Sequence, residues 1–286
     1  MSTVYRDYDQ AALDAQYEQR TLVPDISEYE REWVTGSEAA RRWPHIRPDL
    51  AYGPGARERV DLYLPSGAGP HPLVVFYHGG AWTRFEKSSW SFPAPVFVER
   101  GIAFAVAGFH LTPEVRLEVQ AEQAASALAW LHRHAAELAL DPTRVFAAGH
   151  SSGAHLAAMV TTAARGTEPL PTRGALLVSG IYDLEPVQRS ARNGYLHLTP
   201  EQARALSPIA RIPPRPAPVI VAWGGGELAE FQRQSRTFAD AWAEAGGAVT
   251  RVPCPEHNHF AITRELARPT GPALAAFLDL IETTAR

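Results

Sequence analysis

The 286-residue sequence contains a single cysteine, Cys254, which excludes an internal disulfide and favours a reducing compartment. No apolar run approaches the roughly 18–20 residues that span a bilayer. Basic residues are not in excess, because 27 Lys and Arg stand against 31 Asp and Glu, so the net charge of −4 argues against nucleic-acid or anionic-membrane partners. Residues 1–7 show no cationic stretch leading into an apolar segment, and we therefore expect a cytoplasmic protein without a signal peptide.

Short apolar segments alternate with helical ones from about residue 57 onwards, in a chain that is 45% hydrophobic and 20% charged. That composition is typical of a globular core and excludes intrinsic disorder. Because strands that alternate with helices form parallel sheets covered on both faces, the sequence predicts an α/β fold with a mostly parallel central sheet. The predicted strands are 60–64, an edge strand by its alternation, and 73–77, 102–107, 145–148, 175–179, 219–223 and 249–252. The predicted helices are 117–138, 153–164, 231–245 and 272–284.

The first 50 residues follow a different pattern. Residues 9–20 and 37–43 are typical of short helices, several prolines and charged residues surround them, and no strand periodicity is present. We therefore predict an N-terminal helical arm or cap at residues 1–50 that packs on the main α/β domain at residues 51–286.

One motif indicates a nucleophile. Gly149-His150-Ser151-Ser152-Gly153 matches G-x-S-x-G between a predicted strand and a predicted helix. In that context the serine stands on a sharp turn with its hydroxyl exposed, and the glycines remove the Cβ atoms that would clash there. The helix that follows directs its N-terminal dipole and free N–H groups at the reacting centre. The alternative is a Gly- and Ser-rich surface turn.

A second glycine-containing segment follows the strand at 73–77 directly. Acyl transfer needs N–H donors that stabilise a tetrahedral oxyanion, and adjacent glycines let the backbone turn such groups inward. We predict that the amides of Gly80, Ala81 and Ser152 are these donors and that His78 braces the loop. A tight turn after a strand is the alternative. The candidate oxyanion hole therefore comprises Gly79, Gly80, Ala81 and Ser152.

The catalytic base is expected after the last strand, because the chain order of such sites is nucleophile, acid, base. Residues 257–260 read His-Asn-His-Phe at this place. We favour His259, since Phe260 opens a helix-like run that would pin it, and keep His257 as the alternative. The histidines at 132 and 134 are two apart on a predicted helix and face different sides, which argues against a metal site.

The acid is expected after the strand at 219–223, where the sequence contains no aspartate. Glu227 is the favoured acid. Its side chain is one methylene longer than that of aspartate, and the three glycines at 224–226 could move its backbone back accordingly. Glu230 and, from the preceding strand end, Asp183 are the alternatives.

Together these residues resemble the α/β-hydrolase superfamily, and within it the branch of kynurenine formamidase (arylformamidase)-like and hormone-sensitive-lipase-like esterases. The segments at 78–82 and 149–156 carry the resemblance, and 111–114, 179–184 and 230–235 also look similar. It extends over about residues 50–286. The family's nucleophile and base correspond to Ser151 and His259. Its acid, normally aspartate, corresponds to Glu227, and His110 stands where relatives commonly carry tyrosine.

The resemblance implies a hydrolase that cleaves a carboxylic ester or an aryl formamide through an acyl-enzyme, without a metal or organic cofactor. A general carboxylesterase and a non-catalytic binding protein of this fold are the alternatives. The sequence shows no obvious anion clamp for a substrate carboxylate, and it leaves open whether the protein is a homodimer. The substrate, a small ester or amide, is expected to be aromatic, because aromatic side chains lie near the motifs and the resemblance adds His110 to the candidate pocket. Packing in the core or cap is the alternative for each aromatic residue. The candidate pocket residues are Trp82, Trp90, Phe92, His110, Tyr182, Trp223 and Phe260.

Overall fold

One eight-stranded sheet organises the computed structural model, which describes residues 3–162 and 172–284. In space the strands follow the order β1-β2-β4-β3-β5-β6-β7-β8. The first three of these pair antiparallel and all others parallel, which confirms the mostly parallel sheet. The strands are β1 (Ile46–Ala51), β2 (Arg59–Tyr63), β3 (His71–Tyr77), β4 (Ala103–Ala107), β5 (Leu140–His150), β6 (Thr172–Val178), β7 (Val219–Gly224) and β8 (Val249–Cys254).

Helices cover both faces of the sheet. The α-helices are α1 (Gln10–Ala15), α2 (Ser27–Ala40), α3 (Ala94–Val98), α4 (Leu117–Arg133), α5 (Ser152–Thr161), α6 (Glu185–Arg189), α7 (Asn193–Leu196), α8 (Pro200–Ala205), α9 (Ala229–Glu244) and α10 (Pro272–Thr283). The 3₁₀ helices are Gln19–Leu22, Lys87–Ser89, Pro208–Arg211 and Ala261–Leu266. None of the helices in the described part of the chain is long and apolar enough to cross a membrane.

The central strands are apolar at nearly every position because both of their faces are buried. In β3, Val75 and Tyr77 belong to the core beneath α4, α5 and α9. The alternate residues Val74 and Phe76 belong to the opposite core, beneath α3 and α10. Parallel strands buried in this way end at one edge of the sheet, where the loops after β3, β5, β7 and β8 come together.

Residues 27–51 differ from the prediction in two respects. Residues 46–51 form β1, a strand that the sequence did not indicate, and it takes the sheet edge that we had assigned to residues 60–64. An edge strand pairs through its backbone, so its mostly exposed side chains need no apolar alternation. The second predicted helix is instead α2, which begins ten residues earlier and buries only a narrow stripe at Trp33, Ser37 and Ala40.

A third apolar cluster covers the carboxyl edge of the sheet. Leu13 and Tyr17 from the N-terminal arm pack there with Leu184, Val187 and Leu196 from the long connection between β6 and β7. The predicted helix at 9–20 is thus split into α1 and a 3₁₀ helix that lie over the site described below. The division at residue 50 stays a prediction, although β1 lies across it. Residues 163 and 164 of the predicted helix at 153–164 lie outside the described residues.

Candidate active site

Ser151 stands on a tight turn between β5 and α5. Its backbone has φ 55° and ψ −124°, a conformation that costs a non-glycine residue free energy and is found where surrounding structure enforces it. The Ser151 N–H donates to the carbonyl of Val178 at 2.9 Å. A Cβ atom on Gly149 would overlap the Gly153 carbonyl, and one on Gly153 would overlap the Tyr77 carbonyl. Gly149 therefore lets the turn close on itself, and Gly153 lets it pack directly against the end of β3.

Replacing Gly153 by alanine is expected to destabilise the protein severely, because the new Cβ would meet the backbone oxygens of both Tyr77 and His78. Overpacking against backbone typically costs about 1–3 kcal/mol or more. Gly194 is the matched control, since a Cβ there would have no heavy atom within 4 Å. Urea denaturation of the two alanine variants measures the difference. Equal midpoints would contradict the tight packing of the turn.

His259 connects the serine to a carboxylate. The Ser151 hydroxyl donates to His259 Nε2 at 2.9 Å, and His259 Nδ1 donates to Glu227 Oε1 at 2.5 Å. This assignment of hydrogens follows from the network, because a carboxylate can only accept. All three residues are at most 6% exposed. Such a series can remove a proton from the serine hydroxyl and stabilise the imidazolium that results.

The alternatives for acid and base lie elsewhere. His257 Nε2 is 3.5 Å from the carboxylate of Glu265. Glu230 is fully buried in a bidentate pair with Arg233, whose Nε donates to Glu230 Oε2 at 2.8 Å. Asp183 accepts from a tyrosine hydroxyl and lies 4.0 Å from the same arginine. The structure thus brings Glu227 and His259, but none of these three, to the serine.

The glycines before Glu227 bring the loop after β7, residues 225–228, against the loop after β8, residues 255–260, which we call the histidine loop. A Cβ on Gly224 would overlap the His257 carbonyl, and the Gly226 N–H donates to that same carbonyl at 3.0 Å. The Gly224 N–H also donates to Glu227 Oε2 at 3.0 Å, so each carboxylate oxygen has one donor. The glycines therefore place the backbone where the longer glutamate side chain reaches His259.

The loop after β3, residues 78–82, is the candidate oxyanion loop, and it offers N–H groups to the same centre. Gly80 and Ala81 line the cavity that contains Ser151, and both have positive φ, 125° and 53°. Within residues 3–162 and 172–284, neither amide has a protein acceptor. Ser152 begins α5, so its N–H has no intrahelical acceptor. Gly79 lies behind them, where a Cβ would be 3.4 Å from Ser151 Cβ.

His78 holds this loop from below. Its Nδ1 donates to the carbonyl of Gly79 at 2.8 Å, and its ring stacks on Phe109 at 4.4 Å between centroids. Burial lowers the pKa of His78 to about 4, so the imidazole is neutral near pH 7. A neutral, buried ring with these contacts fits the bracing role that the sequence suggested.

A cavity of about 300 Å³ opens above Ser151 and His259. Its walls come from parts of the chain that are far apart in sequence, including the N-terminal arm and the connection between β6 and β7. Aromatic and aliphatic side chains form one wall: Ile26, Trp33, Phe85, Trp90 and Phe260. The arm contributes Tyr17, Glu18, Gln19 and Arg20, and the connection contributes Arg192 and Tyr195. Among the described residues, no three His, Cys, Asp or Glu side chains are grouped so that they could hold a metal ion.

Only two of the seven predicted pocket residues, Trp90 and Phe260, line this cavity. The other five do not line it, because each packs or bonds elsewhere. The Trp82 indole donates to His155 Nδ1 at 3.2 Å, and His110 is hydrogen-bonded to Gln123. Tyr182 stacks on a core phenylalanine, and Trp223 also lies in the core. Phe92 lines a separate depression beside α2. Proximity to a motif in sequence did not determine which way these side chains point.

Three arginines lie around the cavity although the sequence showed no anion clamp. Arg192 donates through Nη2 to the Tyr17 carbonyl at 2.5 Å, and its guanidinium lies 5.3 Å from the Tyr17 ring centroid. Arg20 and Arg84 both pair with one oxygen of Glu30, at 3.3 and 3.1 Å. In the described part of the chain, these three arginines line the cavity together with a single carboxylate, that of Glu18. With Glu18 and the shared Glu30 counted, three arginines stand against two carboxylates, so the mouth keeps one net positive charge in a chain of net charge −4.

Known proteins are similar to this chain in fold and sequence. The BD-FAE family model matches residues 60–174. Kynurenine formamidase of Danio rerio is 31% identical over 240 residues, which cover 81% of this chain and 80% of that protein. The chain belongs to the kynurenine formamidase family. The Salmo salar member is 30% identical with the same coverage. A crystal structure from Silicibacter sp. TM1040, described as a candidate thioesterase, has a TM-score of 0.81 at 30% identity and covers 92% of this chain and 97% of that one.

Membership of this family identifies the protein as an enzyme, a serine hydrolase of the arylformamidase or esterase type with an α/β-hydrolase fold. It also removes the alternative of a non-catalytic binding protein. A small ester or amide is therefore its class of substrate.

Proposed function

We propose that the protein is an arylformamidase that hydrolyses an aromatic formamide bearing a carboxylate. The observation that carries this proposal is the hydrogen-bonded series of Ser151, His259 and Glu227 at the floor of a cavity with aromatic walls and a positively charged mouth. The aromatic wall matches an aryl leaving group, and the arginines match an anionic substituent on it.

In the first half of the reaction, Ser151 Oγ attacks the formyl carbon while His259 Nε2 takes the hydroxyl proton. The N–H groups of Gly80, Ala81 and Ser152 stabilise the oxyanion of the tetrahedral intermediate. His259 then donates the proton to the nitrogen of the aromatic amine as the C–N bond breaks. The enzyme is left as a formyl ester on Ser151, and Glu227 has stabilised the imidazolium in between.

In the second half, His259 accepts a proton from water, and the resulting hydroxide attacks the formyl ester. The second tetrahedral intermediate uses the same N–H donors. Its collapse breaks the bond to Ser151 Oγ, which takes the proton back from His259, and formate leaves. No cofactor enters either half of this scheme, because Ser151 and His259 carry every proton transfer while Glu227 stays ionised.

Arg192 is the arginine best placed to bind the carboxylate of the substrate. Its side chain is already oriented by the Tyr17 carbonyl and ring, so less conformational entropy is lost when it binds an anion. Arg20 and Arg84, in contrast, share Glu30 and are exposed over 47% and 44% of their side chains, so solvent screens them more strongly.

Replacing Arg192 by glutamine is expected to raise KM for N-formylkynurenine about tenfold or more, because a charge-assisted hydrogen bond contributes about 1.5–3 kcal/mol. The KM for formanilide, a neutral aryl formamide, is expected to stay within about twofold, since that substrate has no group for the arginine. Steady-state kinetics on both substrates provide the measurement.

Arg189→Gln is the matched control, because Arg189 lies on the same connection but pairs with Glu185 away from the cavity. An equal loss on both substrates would show that Arg192 only holds the N-terminal arm against the connection between β6 and β7. Wild-type enzyme that cleaves p-nitrophenyl acetate far faster than either formamide would favour the general carboxylesterase instead.

A further inference from the structure

His150 is a buried titratable residue that the reaction described above does not use. It is 3% exposed, directly precedes Ser151, and faces the histidine loop. Its Nε2 lies 2.9 Å from the backbone carbonyl oxygen of His259. Because a carbonyl can only accept, Nε2 must carry the hydrogen, which leaves Nδ1 without one in the neutral ring.

The imidazole of His150 is held in this neutral form. Burial, together with the nearby His259 ring, lowers the pKa of His150 well below its usual value. Its Nδ1 is buried without a hydrogen-bond partner. That nitrogen faces the oxyanion loop, where a Cβ on Gly79 would lie 3.0 Å from it. The ring therefore touches the oxyanion loop on one side and the histidine loop on the other.

Stacked aromatic rings complete the contact. His150 stacks on Trp90 at 5.6 Å between ring centroids, and Trp90 stacks on Trp33 of α2 at 4.8 Å. Trp33 Nε1 in turn donates to Thr263 Oγ1 at 2.8 Å, in the 3₁₀ helix that follows His259. The segment that carries His259 is thus held by His150 at the carbonyl of residue 259 and by Trp33 at the side chain of Thr263.

We propose that His150 is a positioning residue whose Nε2–H fixes the main chain of His259, so that the imidazole of His259 stays within hydrogen-bond distance of the serine. This inference rests on the roles given to Ser151 and His259 in the proposed function. A displacement of about 1 Å at a reacting group can lower the rate by about 100-fold, so a single main-chain hydrogen bond at this position has a large effect on kcat.

His150→Gln and His150→Met form the matched pair that tests the proposal. Both side chains have similar length, but only glutamine offers an N–H at the position of Nε2. We expect the methionine variant to lose at least about tenfold in kcat relative to the glutamine variant, with KM changed less than about twofold. Rates are normalised to active sites titrated with a fluorophosphonate, which removes any difference in folded fraction.

Equal kcat values for the two variants would overturn the proposal and leave His150 as a packing residue. A separate measurement uses the wild-type enzyme, so it does not depend on either variant folding. In ¹⁵N-histidine NMR spectra over about pH 5–8, we expect His150 to keep the neutral tautomer with hydrogen on Nε2. The opposite tautomer would also overturn the proposal, since Nε2 could not then donate. If Ser151→Ala retained activity, the proposed function itself would fail, and that outcome is distinct from both.

Discussion

Ser151→Ala is expected to lower kcat on every ester and formamide substrate by about 10⁴- to 10⁶-fold, because removal of the nucleophile leaves only the oxyanion donors and substrate binding. The hydroxyl is the only group removed, and His259 keeps its hydrogen bond to Glu227, so the fold and the substrate Kd should be unchanged. Alanine meets the same positive φ as serine, which keeps the backbone strain equal in the two proteins.

The measurement compares wild type and variant purified identically, with kcat from initial rates and Kd from substrate titration of the inactive variant. Wild type should also incorporate one fluorophosphonate per chain, and Ser151→Ala none. Turnover by the variant within about tenfold of wild type would show that another group is the nucleophile.

Glu227→Gln is expected to lower kcat by about 10³- to 10⁴-fold with little change in KM. An amide in this position cannot stabilise the imidazolium, and it can donate a hydrogen to His259 Nδ1, which favours the tautomer that cannot accept from the serine. Glu227→Asp should recover only part of the rate. The aspartate carboxylate would stop about one C–C bond short, because the contacts of Gly224 and Gly226 hold the loop at the distance glutamate needs.

Glu230→Gln is the control, since it changes another buried glutamate three residues away. It is expected to keep the rate per titrated active site and to lose stability, because the mostly buried Arg233 would keep only Asp183, 4.0 Å away, as a carboxylate partner. Breaking such a pair costs about 3 kcal/mol. Steady-state rates and urea denaturation separate the two effects. A greater loss of kcat in Glu230→Gln than in Glu227→Gln would contradict the assignment of the acid.

The nucleophile turn and the oxyanion loop were evident in the sequence because their backbones are under local steric demands. Gly149 and Gly153 must lack a Cβ for the turn to pack, and Gly80 must adopt a φ of 125°. These demands require glycine at fixed positions, and that pattern is visible in the sequence. The strands of the parallel sheet were evident for a related reason. Burial on both faces requires continuous apolar segments, and those stand out in any chain.

Other features carried no such local signature. The choice between Glu227 and Glu230 depends on which carboxylate reaches His259 and which reaches Arg233, and both are ordinary glutamates in the sequence. β1 is recognisable only by its backbone pairing, because most of its side chains face solvent.

The substrate cavity was decided by tertiary structure alone. Tyr17 and Arg192 are 175 residues apart, and Arg192 donates a hydrogen bond to the main-chain carbonyl of Tyr17. A contact to the main chain requires no particular residue type at position 17, so no sequence pattern reveals it. By itself, the sequence determined the mostly parallel sheet and predicted the turn at Ser151, the loop after β3 and the favoured histidine, since each depends on local backbone geometry or periodic burial. Only the tertiary structure shows which glutamate lies at His259, which strand forms the sheet edge and which charged side chains surround the cavity mouth. Each of these depends on which distant parts of the chain are brought within a few ångströms of one another.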